Sequence, residues 1–134
     1  MTKKKMVLMG ICTIVVAGMI FGGMYLIRVA RYRSIVANIE ITTPDLSEIE
    51  DGVYYGALDA LLVAAEVRVI VLDHQIVEID LDHRGTERGE PALVIVDHVL
   101  DQQTLDVDAI SGATNSSKII LGAIENALTN GDSD

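Results

Sequence analysis

The sequence predicts an α+β fold, a small antiparallel sheet packed with two helices, preceded by one N-terminal transmembrane helix. Three observations predict it. An uncharged apolar run lies near the N-terminus, apolar and polar residues alternate with a period of two in the middle, and an apolar stripe at helical spacing lies near the C-terminus. A chain of 134 residues has room for one such domain and its appendages.

The apolar run, Met6–Ile27, contains 22 residues without a charge. As a helix it would be about 33 Å long, enough for a hydrocarbon core of about 30 Å. Arg28 and Arg31 follow without the small-residue pattern of a cleavage site, which favours an uncleaved anchor over a signal peptide. Cys12 follows Ile11 where a lipoprotein signal needs a small residue, and as the single cysteine it excludes an internal disulfide.

The charges divide sharply along the chain. Residues 1–39 carry six basic and no acidic side chains, whereas residues 40–134 carry 20 acidic and four basic ones, a formal charge of −16. A body so acidic excludes nucleic acid as a partner. Basic residues flank the apolar run almost equally, so the positive-inside rule only slightly favours a cytoplasmic N-terminus and an extracytoplasmic domain.

The middle of the chain predicts strands and a helix. Val53–Gly56 is a short strand candidate, and the alternation through Val67–Val71 and Ile79–Leu81 predicts an antiparallel hairpin that turns at Asp73-His74. One face of this hairpin would lie on a core and the acidic face in water. Pro91 suits the first turn of a helix reaching about Asp101, although the β-branched residues there also allow a buried strand.

The C-terminal helix is predicted from an apolar stripe through Ile120, Ile124 and Leu128, with Asn115 or Ser116 as N-cap and Gly131 as stop. The predicted divisions are a cytoplasmic tail (1–5), a transmembrane helix (6–27), a linker (28–46), a domain (47–130) and a disordered tail (131–134).

The stretch DVDAISGATNSSKII, residues 106–120, surrounds one glycine and one alanine with hydroxyls. Gly112 and Ala113 would let a ligand approach the backbone, and the following helix would direct free N–H groups at it. The hydroxyls of Ser111, Thr114, Ser116 and Ser117 can donate to phosphate oxygens. From the residues alone, a phosphate site and an ordinary capped turn both stay open; the G-K-[ST] element of a P-loop is absent.

Within this stretch, VDAISGATNSS resembles the flavinylation motif of the FMN-binding domain family, D-x-x-[ST]-G-A-[ST]. That family includes the covalent-flavin subunits of sodium-pumping NADH:quinone oxidoreductases and Rnf complexes, and small membrane-anchored electron carriers. DGVYYG, the predicted hairpin, GTERGEPA and SKIILGAIENAL are similar to further parts of the family pattern, so the resemblance covers about residues 46–129. The hairpin turn departs from the family pattern, because Asp73-His74 stands where the family usually has Asp-Gly.

The resemblance implies that Thr114 is the residue to which a flavin transferase, using FAD, esterifies FMN through its phosphate. Asp108, Ser111, Gly112 and Ala113 complete the implied motif. His83 stands near the family's histidine at the glycine-bearing loop, and we expect it near the flavin. Tyr54 and Tyr55 could cover the isoalloxazine or pack in the core.

The implied function is that of a membrane-anchored extracytoplasmic electron carrier with covalent FMN, rather than a stand-alone enzyme. Its expected partners are the FMN transferase that modifies it, membrane redox proteins, and the membrane itself through the N-terminal helix. Two alternatives are a flavin subunit of a larger membrane redox pump and a flavin-free, membrane-tethered binding module.

Overall fold

The structure, a computed structural model, describes residues 2–84 and 94–131, and of His83 and Arg84 the backbone alone. The predicted α+β fold is confirmed. The elements of the described residues, in chain order, are α1 (Lys3–Ala37), β1 (Gly52–Asp59), β2 (Ala64–Leu72), β3 (Gln75–Arg84), α2 (Val94–Gln102) and α3 (Thr114–Asn130), with a 3-10 turn at Leu46–Glu48.

The three strands form one antiparallel sheet in the order β1-β2-β3. The predicted hairpin is confirmed, and its turn residues Asp73 and His74 have φ of 51° and 61°. Positive φ at both central positions belongs to a type I′ turn, whose twist matches that of the strands. The turn type is thus the one expected from the family's Asp-Gly, although His74 occupies the left-handed region that glycine usually adopts.

One face of the sheet is apolar and buried, and the other is charged and exposed, as the alternation predicts. The buried face carries Val67, Val69 and Val71 of β2. In β3, Ile76 and Ile79 are three residues apart, yet both are buried, because the register shifts by one residue opposite Ile70/Val71. Such a β-bulge allows both isoleucine side chains to point toward the core.

The opposite face of the sheet carries most of the strand charges. Arg68 of β2 lies 3.2 Å from a carboxylate oxygen of Glu78 and 3.3 Å from one of Asp80, both on β3. Glu66 and Asp82 are also exposed on these two strands. The pairs across the strands are exposed and therefore contribute little to stability, but they keep this face solvated.

The helix α3 covers the apolar face of the sheet and supplies a third of the buried apolar residues in the described core. Its stripe is confirmed, and Gly131 follows its last residue, as predicted. The buried apolar side chains of α3 are Ile119, Ile120, Leu121, Ala123, Ile124, Ala127 and Leu128. The helix approaches β1 so closely because Gly56 has no side chain: a Cβ there would meet backbone atoms of Ala123 and Ala127.

The helix α1 is longer than the apolar run that predicted it, because it continues through the arginines to Ala37. It is long and apolar enough to cross a membrane, by its length and composition. Its last turns reach the domain: Val36 is buried in the core cluster, and Tyr32 and Ile35 pack against it. The helix α2 begins at Val94, which confirms a helix here over the alternative strand; Pro91 lies outside the described residues.

Candidate functional site

The segment between α2 and α3 carries the candidate site and is fixed at its beginning by Gln103. The Gln103 amide accepts a hydrogen bond from the Ile76 N–H (2.7 Å) and donates to the Ile76 carbonyl (2.8 Å), as a neighbouring strand would. It also donates to the Leu100 carbonyl at 2.7 Å. One step further, Thr43 Oγ1 accepts from the Leu105 N–H at 3.0 Å. The segment therefore leaves the edge of β3 from a defined point.

The segment ends in a tight turn at Ser111-Gly112. The Ala113 N–H donates to the Ile110 carbonyl at 2.9 Å, and Gly112 has φ of +80°. A glycine with this φ at the third position is typical of a type II turn. A Cβ on Gly112 would meet nothing within 4 Å, so the turn requires glycine for its backbone conformation rather than for space.

The first residue of α3 is Thr114, and its side chain is exposed. The predicted N-cap at Asn115 or Ser116 is therefore wrong: Ala113 occupies that position, with φ −134° and ψ 35°. The reason is that the turn at Ser111-Gly112 already redirects the chain, so the helix begins directly after it.

Among the described residues, no side chain caps the N-terminus of α3, which could therefore accept a negatively charged group. Ala113 has no side chain that could cap the helix, and within the described residues no side chain hydrogen-bonds as its N-cap. The first turn contains no acidic residue. The first N–H groups of a helix lack intrahelical acceptors, and together with the helix dipole they attract an anion. A phosphate on the Thr114 hydroxyl would be such an anion, so the residues present fit a phosphate ester.

The four hydroxyls considered as phosphate donors divide into two pairs. Ser111 and Thr114 are exposed, whereas Ser116 is 6% exposed and Ser117 fully buried. The Ser117 hydroxyl donates to the Ala113 carbonyl at 2.8 Å and accepts from the Ile110 N–H at 3.1 Å. The prediction that Ser117 donates to a phosphate is therefore wrong, because its hydroxyl is directed into the protein and already bonded.

The remaining motif residues lie where a ligand or an enzyme can reach them, with one exception. Asp108 and Gly112 are exposed, and Ala113 is 5% exposed. Ala113 is therefore small because it packs in the core. The sequence predicts that Gly112 and Ala113 are small so that a ligand can approach. In the structure Gly112 allows the positive φ of the turn, and Ala113 fits into the core.

The N-terminal end of α3 lies toward one end of the sheet. Gly131 at its C-terminus lies beside the Tyr55 carbonyl, and Gly122 faces the Leu58 side chain. The helix α3 therefore runs antiparallel to β1, and its N-terminal residue Thr114 lies toward the Asp59 end of β1.

The end of the sheet near Thr114 also holds the end of β3. Ala64 of β2 pairs with both Asp59 and Arg84, and Ala65 pairs with His83. The backbone of His83 is thus on the Thr114 side of the sheet; its side chain and the glycine-bearing loop that follows lie outside the described residues. Its expected position near a flavin stays a prediction.

The two tyrosines differ in surroundings. The Tyr54 hydroxyl donates to the Glu50 carbonyl at 2.7 Å, and its ring packs against the core. Tyr55 is 47% exposed and lines, with Arg68, an open groove of about 270 Å³ on the charged sheet face. Of the two predicted alternatives, packing in the core is therefore confirmed for Tyr54, whereas Tyr55 does not pack there.

Comparisons with solved structures and with protein-family models bear on the family of the chain. No solved structure matches the chain significantly. The family model described as FMN-binding domain matches residues 34–129, which includes the whole sheet, α2, the turn and all but the last residue of α3. This match covers most of the chain, and the chain therefore belongs to the FMN-binding domain family.

Proposed function

We propose that this chain is a membrane-anchored electron-transfer flavoprotein whose domain lies outside the cytoplasm and carries FMN esterified to Thr114. The observation that carries the proposal is the position of Thr114: an exposed hydroxyl at an uncapped helix N-terminus, inside the family match. The family match supports FMN binding. The ester to Thr114 is carried over from the resemblance of residues 108–114 to the family's flavinylation motif and is the part that we propose.

The ester forms by phosphoryl transfer from FAD, catalysed by a separate flavin transferase. The bond between the two phosphates of FAD breaks, a new bond joins the FMN phosphorus to Thr114 Oγ1, and AMP leaves. The hydroxyl proton passes to a base of the transferase. In this step the chain supplies the acceptor hydroxyl, and Ser111 and Asp108, both exposed on the same segment, are accessible to the enzyme.

The N-terminus of α3 stabilises the product. An ester phosphate keeps a negative charge, and on the first residue of α3 this charge lies beside the free N–H groups and the positive end of the helix dipole. Such an interaction contributes about 0.3–1 kcal/mol at an exposed position. The lack of an acidic residue in the first turn avoids repulsion.

When bound, FMN supplies the redox chemistry, and the protein supplies position and surroundings. The anchor α1 would keep the domain at the membrane surface, within reach of membrane redox partners. A covalent link is useful outside the cytoplasm because a dissociated FMN would be lost by diffusion. The exposed acids on the sheet would discourage binding to anionic lipid headgroups away from the anchor.

The test is a denaturing gel of the full chain co-expressed with a flavin transferase and exported. Under ultraviolet light we expect a fluorescent band for the wild type and for Thr114→Ser, which keeps the hydroxyl, and no band for Thr114→Ala. No wild-type band despite an active transferase would contradict the proposal and favour the flavin-free binding module.

A further inference from the structure

The hydroxyl of Ser117 joins both ends of the turn that precedes Thr114. It accepts a hydrogen bond from the Ile110 N–H at 3.1 Å and donates to the Ala113 carbonyl at 2.8 Å. The Ala113 N–H in turn donates to the Ile110 carbonyl at 2.9 Å. These three bonds form a closed ring, which we call the Ser117 ring, and Ser111 and Gly112 project from it to the surface.

The hydrogen bond from Ser117 to the Ala113 carbonyl needs no functional explanation. A buried serine in a helix often donates to the carbonyl four residues earlier, as Ser117 does to Ala113. The bond from Ile110 is different, because it crosses seven residues and spans the motif from outside the helix. It fixes where the segment enters the turn relative to where α3 begins.

The position of Thr114 depends on this ring. Thr114 follows Ala113 directly, so its backbone is fixed to a carbonyl that the ring holds. Removing the Ser117 hydroxyl would leave the Ile110 N–H without its acceptor and free the entrance of the turn. Because Ser117 is fully buried, it cannot itself contact a modifying enzyme.

We infer that Ser117 is a positioning residue for the modification of Thr114, and that the transferase recognises the folded turn rather than the linear motif alone. This inference rests on the proposed function. It separates the two roles of hydroxyls in the motif: Thr114 is the acceptor, and Ser117 holds the acceptor in place.

The experiment compares the wild type with Ser117→Ala, as purified full chain in detergent with FAD and the transferase. If the variant presents the turn only part of the time, KM for the protein substrate rises about five- to tenfold while kcat at saturation stays close to that of the wild type. In parallel, hydrogen exchange measured on the unmodified chain should be faster across residues 107–113 of the variant.

Asn126→Ala is the matched control. It too removes side-chain hydrogen bonding from α3, but further along the helix: one bond of 2.9 Å, from Asn126 Nδ2 to the Ala57 carbonyl, against the two bonds of Ser117. A merely structural role for Ser117 predicts similar effects of both changes on KM. Our proposal predicts an effect of Ser117→Ala alone on KM and on exchange in the turn.

A synthetic peptide of residues 104–120 keeps the test independent of how well the variant folds. The proposal expects this peptide to be a much poorer substrate than the folded chain. A peptide with the KM of the folded chain, or a Ser117→Ala chain with wild-type KM or wild-type exchange, would overturn it. A wild type that is not modified at all would instead refute the proposed function, and the proposal with it.

Discussion

Gly112 is the residue whose backbone sets the geometry of the candidate site. Its φ of +80° lies where side chains with a Cβ are strained, while the space around it is open. The cost of another residue there is therefore a backbone cost alone. This separates Gly112 from Gly56, where the missing side chain makes room for a helix.

We predict that Gly112→Ala destabilises the domain by about 1–2 kcal/mol, because alanine at positive φ is strained. Gly112→Asn should cost less, since asparagine tolerates the left-handed region. Thermal unfolding of the full chain in detergent, followed by circular dichroism, measures both. Equal melting temperatures for the alanine variant and the wild type would show that the turn does not have the described backbone.

The resemblance to the family motif points to Thr114 as the acceptor, and the exposure of its side chain is compatible with that prediction. The sequence is not sufficient to assign the other hydroxyls. Ser116 and Ser117 are serines of the same short polar stretch as Ser111, yet they are buried and Ser111 is exposed. Nor does any local pattern indicate Gln103, since its partner Ile76 lies 27 residues away.

The elements themselves are predictable where their periodicity is strong. The hairpin and α3 follow directly from alternation and from the helical stripe. Strict alternation does not predict the bulge in β3, although the three-residue spacing of Ile76 and Ile79 is a signal for it. The sequence places the N-terminal boundary of α3 too late, because polar residues that favour a cap follow the turn. The turn itself redirects the chain, so the helix begins directly after Ala113.

The contact between α3 and β1 leaves no room for a side chain at Gly56. We predict that Gly56→Ala destabilises the domain by at least about 2 kcal/mol, because the added methyl group meets backbone atoms of Ala123 and Ala127 that cannot rotate away. The measurement is the same thermal unfolding. Gly10→Ala is the control, since its added methyl group meets nothing within 4 Å, and an equally small effect of both substitutions would refute the close approach.

The whole molecule combines a basic, apolar N-terminal part with an acidic domain, and α1 joins them without a break. From Arg28 to Ala37 the helix would extend about 15 Å beyond the apolar run. Its final turn is anchored in the core by Val36. The segment that the sequence suggested as the start of a linker is therefore helical, and the domain is attached to the anchor by packing as well as by the chain.

We predict that the domain and the N-terminus lie on opposite sides of the membrane, with the domain outside the cytoplasm. In a Cys12→Ser background, which removes the natural thiol, Thr129→Cys should react with a membrane-impermeant maleimide in intact cells. Thr2→Cys should react only after the cells are opened. The reverse pattern would place the domain in the cytoplasm and exclude an extracytoplasmic carrier.

The central claim is that FMN is esterified to Thr114, and peptide mass spectrometry of the exported full chain, co-expressed with a transferase, tests it most directly. We predict a mass increase equal to FMN minus one water on the peptide that contains Thr114, with fragment ions that place it on Thr114 itself. The same peptide found only unmodified, or with the added mass on Ser111, Ser116 or Ser117, would contradict the account.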